Sequence, residues 1–136
     1  MGLASQSSKD GENVKRVVMM IAALVFALSF TSGLSLTLGR ISAYTPHESP
    51  GRMACGPARA DAVALSRDLF YKGGKKRCGD LVRITYRDAQ GRTRHTTRVV
   101  WDTTSARYSR TADLYLMSHS SAMRFGIRRG TLRFLN

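Results

Sequence analysis

The sequence predicts a small, closed barrel of β-strands. Three observations predict it: short runs of β-branched and aromatic residues, turn residues between those runs, and room for only two brief helices. The clearest runs, Asp80 to Arg87 and Arg92 to Trp101, are joined by Asp88-Ala89-Gln90-Gly91 and read as a hairpin. So small a domain exposes strand edges unless its sheet closes on itself, which favours a barrel over an open sheet.

Taken in order, Ile41 to Thr45 forms the first strand, ended by Pro46, and His47 to Gly56 is a loop carrying Pro50, Gly51 and Gly56. From Ala58 to Phe70 two readings stand. The alanines suit a helix, while Ala62 to Leu65 equally suits a buried strand followed by a helical turn at Arg67 to Tyr71. Lys72 to Arg77 is a basic turn containing glycine, and the hairpin follows it. Thr103 to Thr111 is a polar loop, and Ala112 to Leu116 a strand. Ser118 or Ser120 caps a short helix, Gly126 ends it, and Arg128 to Leu135 is the last strand.

Ahead of this domain, Lys15 and Arg16 precede a stretch from Val17 to Gly39 with no charge, whose core, VVMMIAALVFAL, is continuously apolar. Residues 1–16 are therefore expected to be a cytoplasmic n-region, 17–39 a signal peptide or signal anchor, and 41–136 the exported domain. As a helix the uncharged stretch spans roughly 34 Å, enough for a bilayer. Ser29, Thr31, Ser32, Gly33, Ser35 and Thr37 make its second half a poor membrane segment. Thr31 and Gly33 offer small residues at a signal-peptidase spacing but form no Ala-x-Ala, so cleavage and anchoring both stay open. The expected location is periplasmic or extracellular, with a membrane contact through the N-terminal helix if it is not cleaved.

Ile41 to Asn136 holds 18 of the 22 Lys and Arg and 7 of the 9 Asp and Glu, a net charge of +11 that attracts anionic partners. Export removes most chances of meeting nucleic acid, leaving peptidoglycan carboxylates and the phosphates of teichoic acid or lipopolysaccharide. In an oxidising compartment the two cysteines, Cys55 and Cys78, most simply pair with each other, and closing that loop stabilises a small fold by roughly 3 kcal/mol. Neither Cys-x-x-Cys nor His-Glu-x-x-His occurs, and His47, His95 and His119 are scattered, so no metal and no cofactor is expected.

Asp113 stands among Leu114, Tyr115, Leu116 and Met117, surroundings in which a carboxylate needs a partner or a task. AYTP at Ala43 to Pro46, ACG at Ala54 to Gly56, and AVALSRDLFYKGGKKRCGDLVRI from Ala62 to Ile84 resemble the double-psi β-barrel domains of expansins and barwin-like proteins. VVWDTTSARYSRTADLYLMSHSSAMRFGIRRGTLRFL resembles their bacterial relatives, rare lipoprotein A and the three-aspartate domain of membrane-bound lytic transglycosylase A. The resemblance implies a six-stranded double-psi β-barrel with one or two short helices. The chain departs from the pattern at Thr104, where a glycine follows the first Asp-Thr, and among Ser105 to Arg110, where a glycine precedes the second aspartate. The first aspartate of the three is replaced by Leu65 or Ser66, and no lipobox cysteine follows the apolar run.

By this resemblance the substrate is peptidoglycan and the reaction lytic transglycosylation. One carboxylic acid protonates the leaving glycosidic oxygen, then accepts a proton from the sugar's own 6-hydroxyl as an anhydro ring closes. Asp113 would be that acid, and Asp102 would lie across the groove, stabilising positive charge at the sugar carbon or holding a hydroxyl. Tyr44 and Thr45 would hydrogen-bond the glycan, Trp101 would stack on a sugar, and His47 would also bind the substrate. Structural readings compete with all but Thr45: Asp102 shaping its own loop through an Asx turn, Asp113 paired with an arginine such as Arg98 or Arg110, Trp101 in the core, Tyr44 and His47 packing a loop. The alternative function is a non-catalytic, expansin-like module that binds or loosens the wall.

Overall fold

The computed structural model describes residues 33–49 and 51–135; the n-region and the apolar run lie outside the described residues. The strands are β1 (Leu36–Tyr44), β2 (Arg52–Met53), β3 (Gly56–Pro57), β4 (Ala62–Leu65), β5 (Tyr71–Lys72), β6 (Lys75–Lys76), β7 (Leu81–Arg87), β8 (Thr93–Thr103), β9 (Thr111–Tyr115) and β10 (Arg128–Phe134). Two short helices, α1 (Arg67–Phe70) and α2 (His119–Phe125), complete the described chain. Six strands close into a ring in the order β1, β10, β7, β8, β4, β9, which removes the free edges. The β1–β9 and β4–β8 pairs are parallel and the other four antiparallel.

Inside the ring lie Leu38, Ile41, Val63, Leu65, Phe70, Val82, Ile84, Val100, Leu114 and Leu132. On β7 the period of two puts Val82 and Ile84 inward, while Leu81 and Arg83 are exposed. On β1 the buried residues Leu38 and Ile41 are three apart, which a regular strand cannot place on one face. A register shift against β10 between these residues absorbs the extra residue as a β-bulge. Beyond it Ile41 points inward, and Ser42 and Tyr44 alternate onto the opposite face.

The domain thus begins earlier than Ile41. Leu36 to Gly39, expected to belong to the uncharged 17–39 segment, are part of β1: Leu36 pairs with Leu132, Thr37 with Thr131, and Leu38 with Gly130. Charge alone could not separate them from the apolar run, because both are uncharged; the leucine–threonine alternation marks the change.

The ambiguous stretch from Ala58 to Phe70 resolves as a strand and a helical turn. All four residues of β4 are buried between two flanking strands, and α1 buries Leu69 and Phe70. The loop expected at His47 to Gly56 contains a small hairpin, β2–β3. The basic turn is a second hairpin, β5–β6, whose Gly73 and Gly74 both have positive φ, as a two-residue hairpin turn requires. Ser118 caps α2 by accepting the Ser121 amide at 3.1 Å, and Gly126 ends it. Cys55 and Cys78 form a disulfide with Cα atoms 5.7 Å apart, tying the β2–β3 flap to the entry of β7.

Gly130 sits where β10 passes between β1 and β7. A Cβ there would lie 2.0 Å from the Thr85 carbonyl oxygen and 2.9 Å from Ile41 Cδ1. Gly130→Ala is expected to destabilise the fold by more than about 2 kcal/mol, read as a lowered denaturant midpoint, because backbone must move to admit the methyl. A chain started at Ile41 lacks Leu36 and Leu38 and is expected to show no cooperative melt by near-UV circular dichroism, whereas one started at Gly33 melts cooperatively. Equal transitions from the two would disprove the boundary at β1.

Candidate functional site

The register of four adjacent strands builds one side of the ring. Asp102 on β8 is level with Ala64 on β4, Ala64 with Asp113 on β9, and Asp113 with Ser42 on β1. Two strand spacings separate the aspartates, so their Cα atoms are on the order of 10 Å apart. Ala64 has only a methyl to place between them, and a groove of about 440 Å³ opens over it. Asp102, Asp113, Ser42, Tyr44, Glu48 and Tyr108 line that groove, with Arg40 at one side.

The two carboxylates live in different surroundings. Asp102 is fully engaged: Oδ1 accepts the Ala54 amide at 3.0 Å and the Thr103 amide at 2.9 Å, and Oδ2 accepts the Tyr44 hydroxyl at 3.1 Å. The amide of Thr103 is the Asx-type contact that the structural reading anticipated, and the amide of Ala54 makes Asp102 a fastening for the β2–β3 flap. Burial, then the nearby Asp102 charge, hold the Tyr44 phenol well above the usual tyrosine range, so it remains a donor.

Asp113 has one side-chain partner, the Ser42 hydroxyl, which donates to Oδ1 at 3.0 Å. Desolvation pushes its pKa from the ordinary 3.8 up to about 6. The charges of Glu48 and Asp102 push the same way, and the Ser42 hydrogen bond and Arg40 only partly offset them. Neither arginine proposed as its partner reaches it. Arg98 donates to the Ala60 and Tyr115 carbonyls, and the Arg110 amide donates to Asp68. Among the described residues Asp113 has no ion pair.

The other residues proposed for the site divide. Tyr44 lines the groove through its place on β1. Thr45 is buried, and its amide and hydroxyl both donate to Glu48 Oε2, at 2.8 and 3.2 Å, so it positions a third carboxylate instead of facing the groove. His47 is exposed on the loop beyond and does not line the groove. Trp101 faces the flap: its Nε1 donates to the Pro57 carbonyl at 2.8 Å, its ring touches Gly56, and the Arg59 guanidinium sits 5.1 Å above it. The half-buried indole packs beside Tyr44, Met53, Ala62, Ala64 and Tyr115, which is the core reading.

The aromatic ring that lines the groove is Tyr108, with Arg40 and Arg107 at 5.1 and 4.8 Å from its centre. Ser42, Glu48, Arg40 and Tyr108 were missed from sequence. Stepping back by two from Tyr44 along an alternating strand would have found Ser42 and Arg40. Tyr108 and Glu48 sit on loops with no periodicity to betray them. Arg110, where the resemblance calls for glycine nearby, has φ +43°, a conformation that glycine adopts at less cost. Asp68 and Gly39 hold its backbone there.

Comparison with protein-family models, with curated proteins and with solved structures finds no match to this chain.

A carboxyl that keeps its proton to higher pH in the folded state than in the unfolded chain makes stability fall as pH rises between the two values. The full protein is therefore expected to lose stability from about pH 4 to about pH 6 through Asp113. Asp113→Asn should remove that slope, so that thermal melts place the variant progressively above the parent as pH rises. A parallel pH dependence in both proteins would rule out the raised pKa.

Proposed function

We propose that the protein is an exported, peptidoglycan-acting double-psi β-barrel related to rare lipoprotein A and the three-aspartate domains, and that it cleaves glycan strands by lytic transglycosylation. The closed six-stranded ring with its two parallel pairs supports the fold reading, and the disulfide is compatible with an oxidising compartment. The observation that carries the function is the contrast between the aspartates. Asp102 has both oxygens committed to three donors, while Asp113 faces the same groove with one partner and a pKa near the working range.

Lytic transglycosylation suits that contrast because a single carboxyl performs both proton transfers. Protonated Asp113 gives its proton to the glycosidic oxygen as the bond to the sugar's anomeric carbon breaks. The resulting carboxylate takes the proton of the 6-hydroxyl as that oxygen bonds to the same carbon, which returns Asp113 to its starting state. The Ser42 hydroxyl holds one oxygen of Asp113 and so fixes which lone pairs face the substrate. Asp102, anchored by backbone amides, supplies fixed negative charge for the developing positive carbon. Tyr108 takes over the stacking part first given to Trp101.

A second reading, a wall-binding or wall-loosening module without catalysis, is favoured by the engagement of Thr45 and Trp101 away from the groove, which leaves few side chains to hold a glycan. Digestion of purified sacculi by the full chain, read by mass spectrometry, separates the two. Anhydro-muropeptides are expected from the parent. Asp113→Asn should release them roughly 100-fold more slowly with retention on sacculi unchanged, and Asp102→Asn should cost less. Retention without anhydro products would establish the binding module instead.

A further inference from the structure

The wall of the ring opposite the aspartates carries rows of arginine and threonine. Outward residues of β10, β7 and β8 align in register: Arg133 beside Arg83 beside Thr97, and, two residues along, Thr131 beside Thr85 beside His95. Thr37 of β1 extends the second row. Farther along, Arg87 is level with Thr93, and Arg129 lines the same trough of about 920 Å³. Thr85 and Thr131 also line the smaller hollow at Arg83, His95 and Arg133, so the two depressions adjoin.

This charge is uncompensated. Asp88, which borders the trough, is already shared by Arg92 and Arg94 at 3.1 and 2.9 Å. Among the described residues Arg83, Arg87, Arg129 and Arg133 make no ion pair; Arg87 gives one hydrogen bond to the Gly91 carbonyl.

The geometry points to this wall as a binding face for a linear phosphodiester polymer, laid along the strands and independent of the groove on the other side. Arg83 and Arg133, on neighbouring strands about 5 Å apart, form one oxyanion clamp, and Arg87 with Arg129 forms a second about 13 Å along the same strands. Guanidinium forks bind phosphate oxygens in pairs, which point-charge lysines do not. Between the clamps the Thr131 hydroxyl faces the polymer's hydroxyl groups, while the Thr85 hydroxyl is bonded to His95 Nδ1 at 2.9 Å. The two rings at this face are already engaged, His95 with the Thr85 hydroxyl at 2.9 Å and Tyr86 edge-on to Phe125, and Ile127 is a single exposed apolar side chain at the trough. These are too few for a run of stacking platforms or a membrane-entering apolar face, so a base-free polymer fits better than nucleic acid or a membrane.

The test uses the full chain, a poly(glycerol phosphate) of defined length, duplex DNA of matched charge, and vesicles of phosphatidylglycerol. The parent is expected to prefer the glycerol phosphate polymer. Replacing Arg83, Arg87, Arg129 and Arg133 by Gln should weaken that binding at least tenfold. It should also flatten the slope of log affinity against log salt by roughly 3. Lys72→Gln with Lys75→Gln and Lys76→Gln, on the β5–β6 hairpin, should leave affinity within twofold. A fourfold Arg→Lys variant keeps charge and lowers the risk of misfolding; it should bind more weakly than the parent and more tightly than the Gln variant. Equal loss from the hairpin lysines, parity of the Lys variant with the parent, or preference for DNA or vesicles would overturn the assignment.

Discussion

The four residues of β4 set the register on which the rest of the molecule depends. They are buried on both sides and pair with β8 in parallel and with β9 antiparallel. A one-residue slip would turn Val63 and Leu65 out of the core and remove Ala64 from between the aspartates. The same strand therefore holds the core closed and sets the width of the groove. A shift in its pairing with β8, between Val63 and Ala64, brings Asp102 level with Ala64.

Asp102 and Asp113 differ because the chain supplies donors to one and withholds them from the other. The β2–β3 flap brings the Ala54 amide to Asp102, and four contacts keep the flap there: that amide, the Cys55 amide on the Trp101 carbonyl at 3.0 Å, the indole on Pro57, and the disulfide. Asp113 lies on the next strand but one, has no flap over it, and meets Glu48 and Asp102 as like charges. Two carboxylates of the same chemical type thus sit in different surroundings: three donors hold Asp102, while burial raises the Asp113 pKa to about 6.

The charge of the domain is also divided by the ring. The β8–β4–β9–β1 side carries three carboxylates around a groove, and the β10–β7–β8 side carries arginines on an open sheet. Closing the sheet places these two chemistries on opposite walls, so the carboxylate groove and the arginine rows do not share space.

Much of this was legible in the sequence. The hairpin of β7 and β8, the strand at β9, the serine-capped helix, its terminal glycine and the cysteine pairing all follow from local pattern, because alternation, capping and cysteine count are properties of neighbouring residues or of composition. Asp113 was legible too, as a carboxylate in an apolar run. Three things needed the tertiary structure: the start of β1 inside an uncharged stretch, the turning of Trp101 and Thr45 away from the groove, and the alignment of Asp102, Ala64, Asp113 and Ser42. Each depends on which strands become neighbours and in what register, and residues tens of positions apart carry no local signal of that. The sequence by itself determined the strands from β7 to β10 and which residues carry charge; only the closure of the ring settled β4, the start of β1 and which of the charged residues face one another.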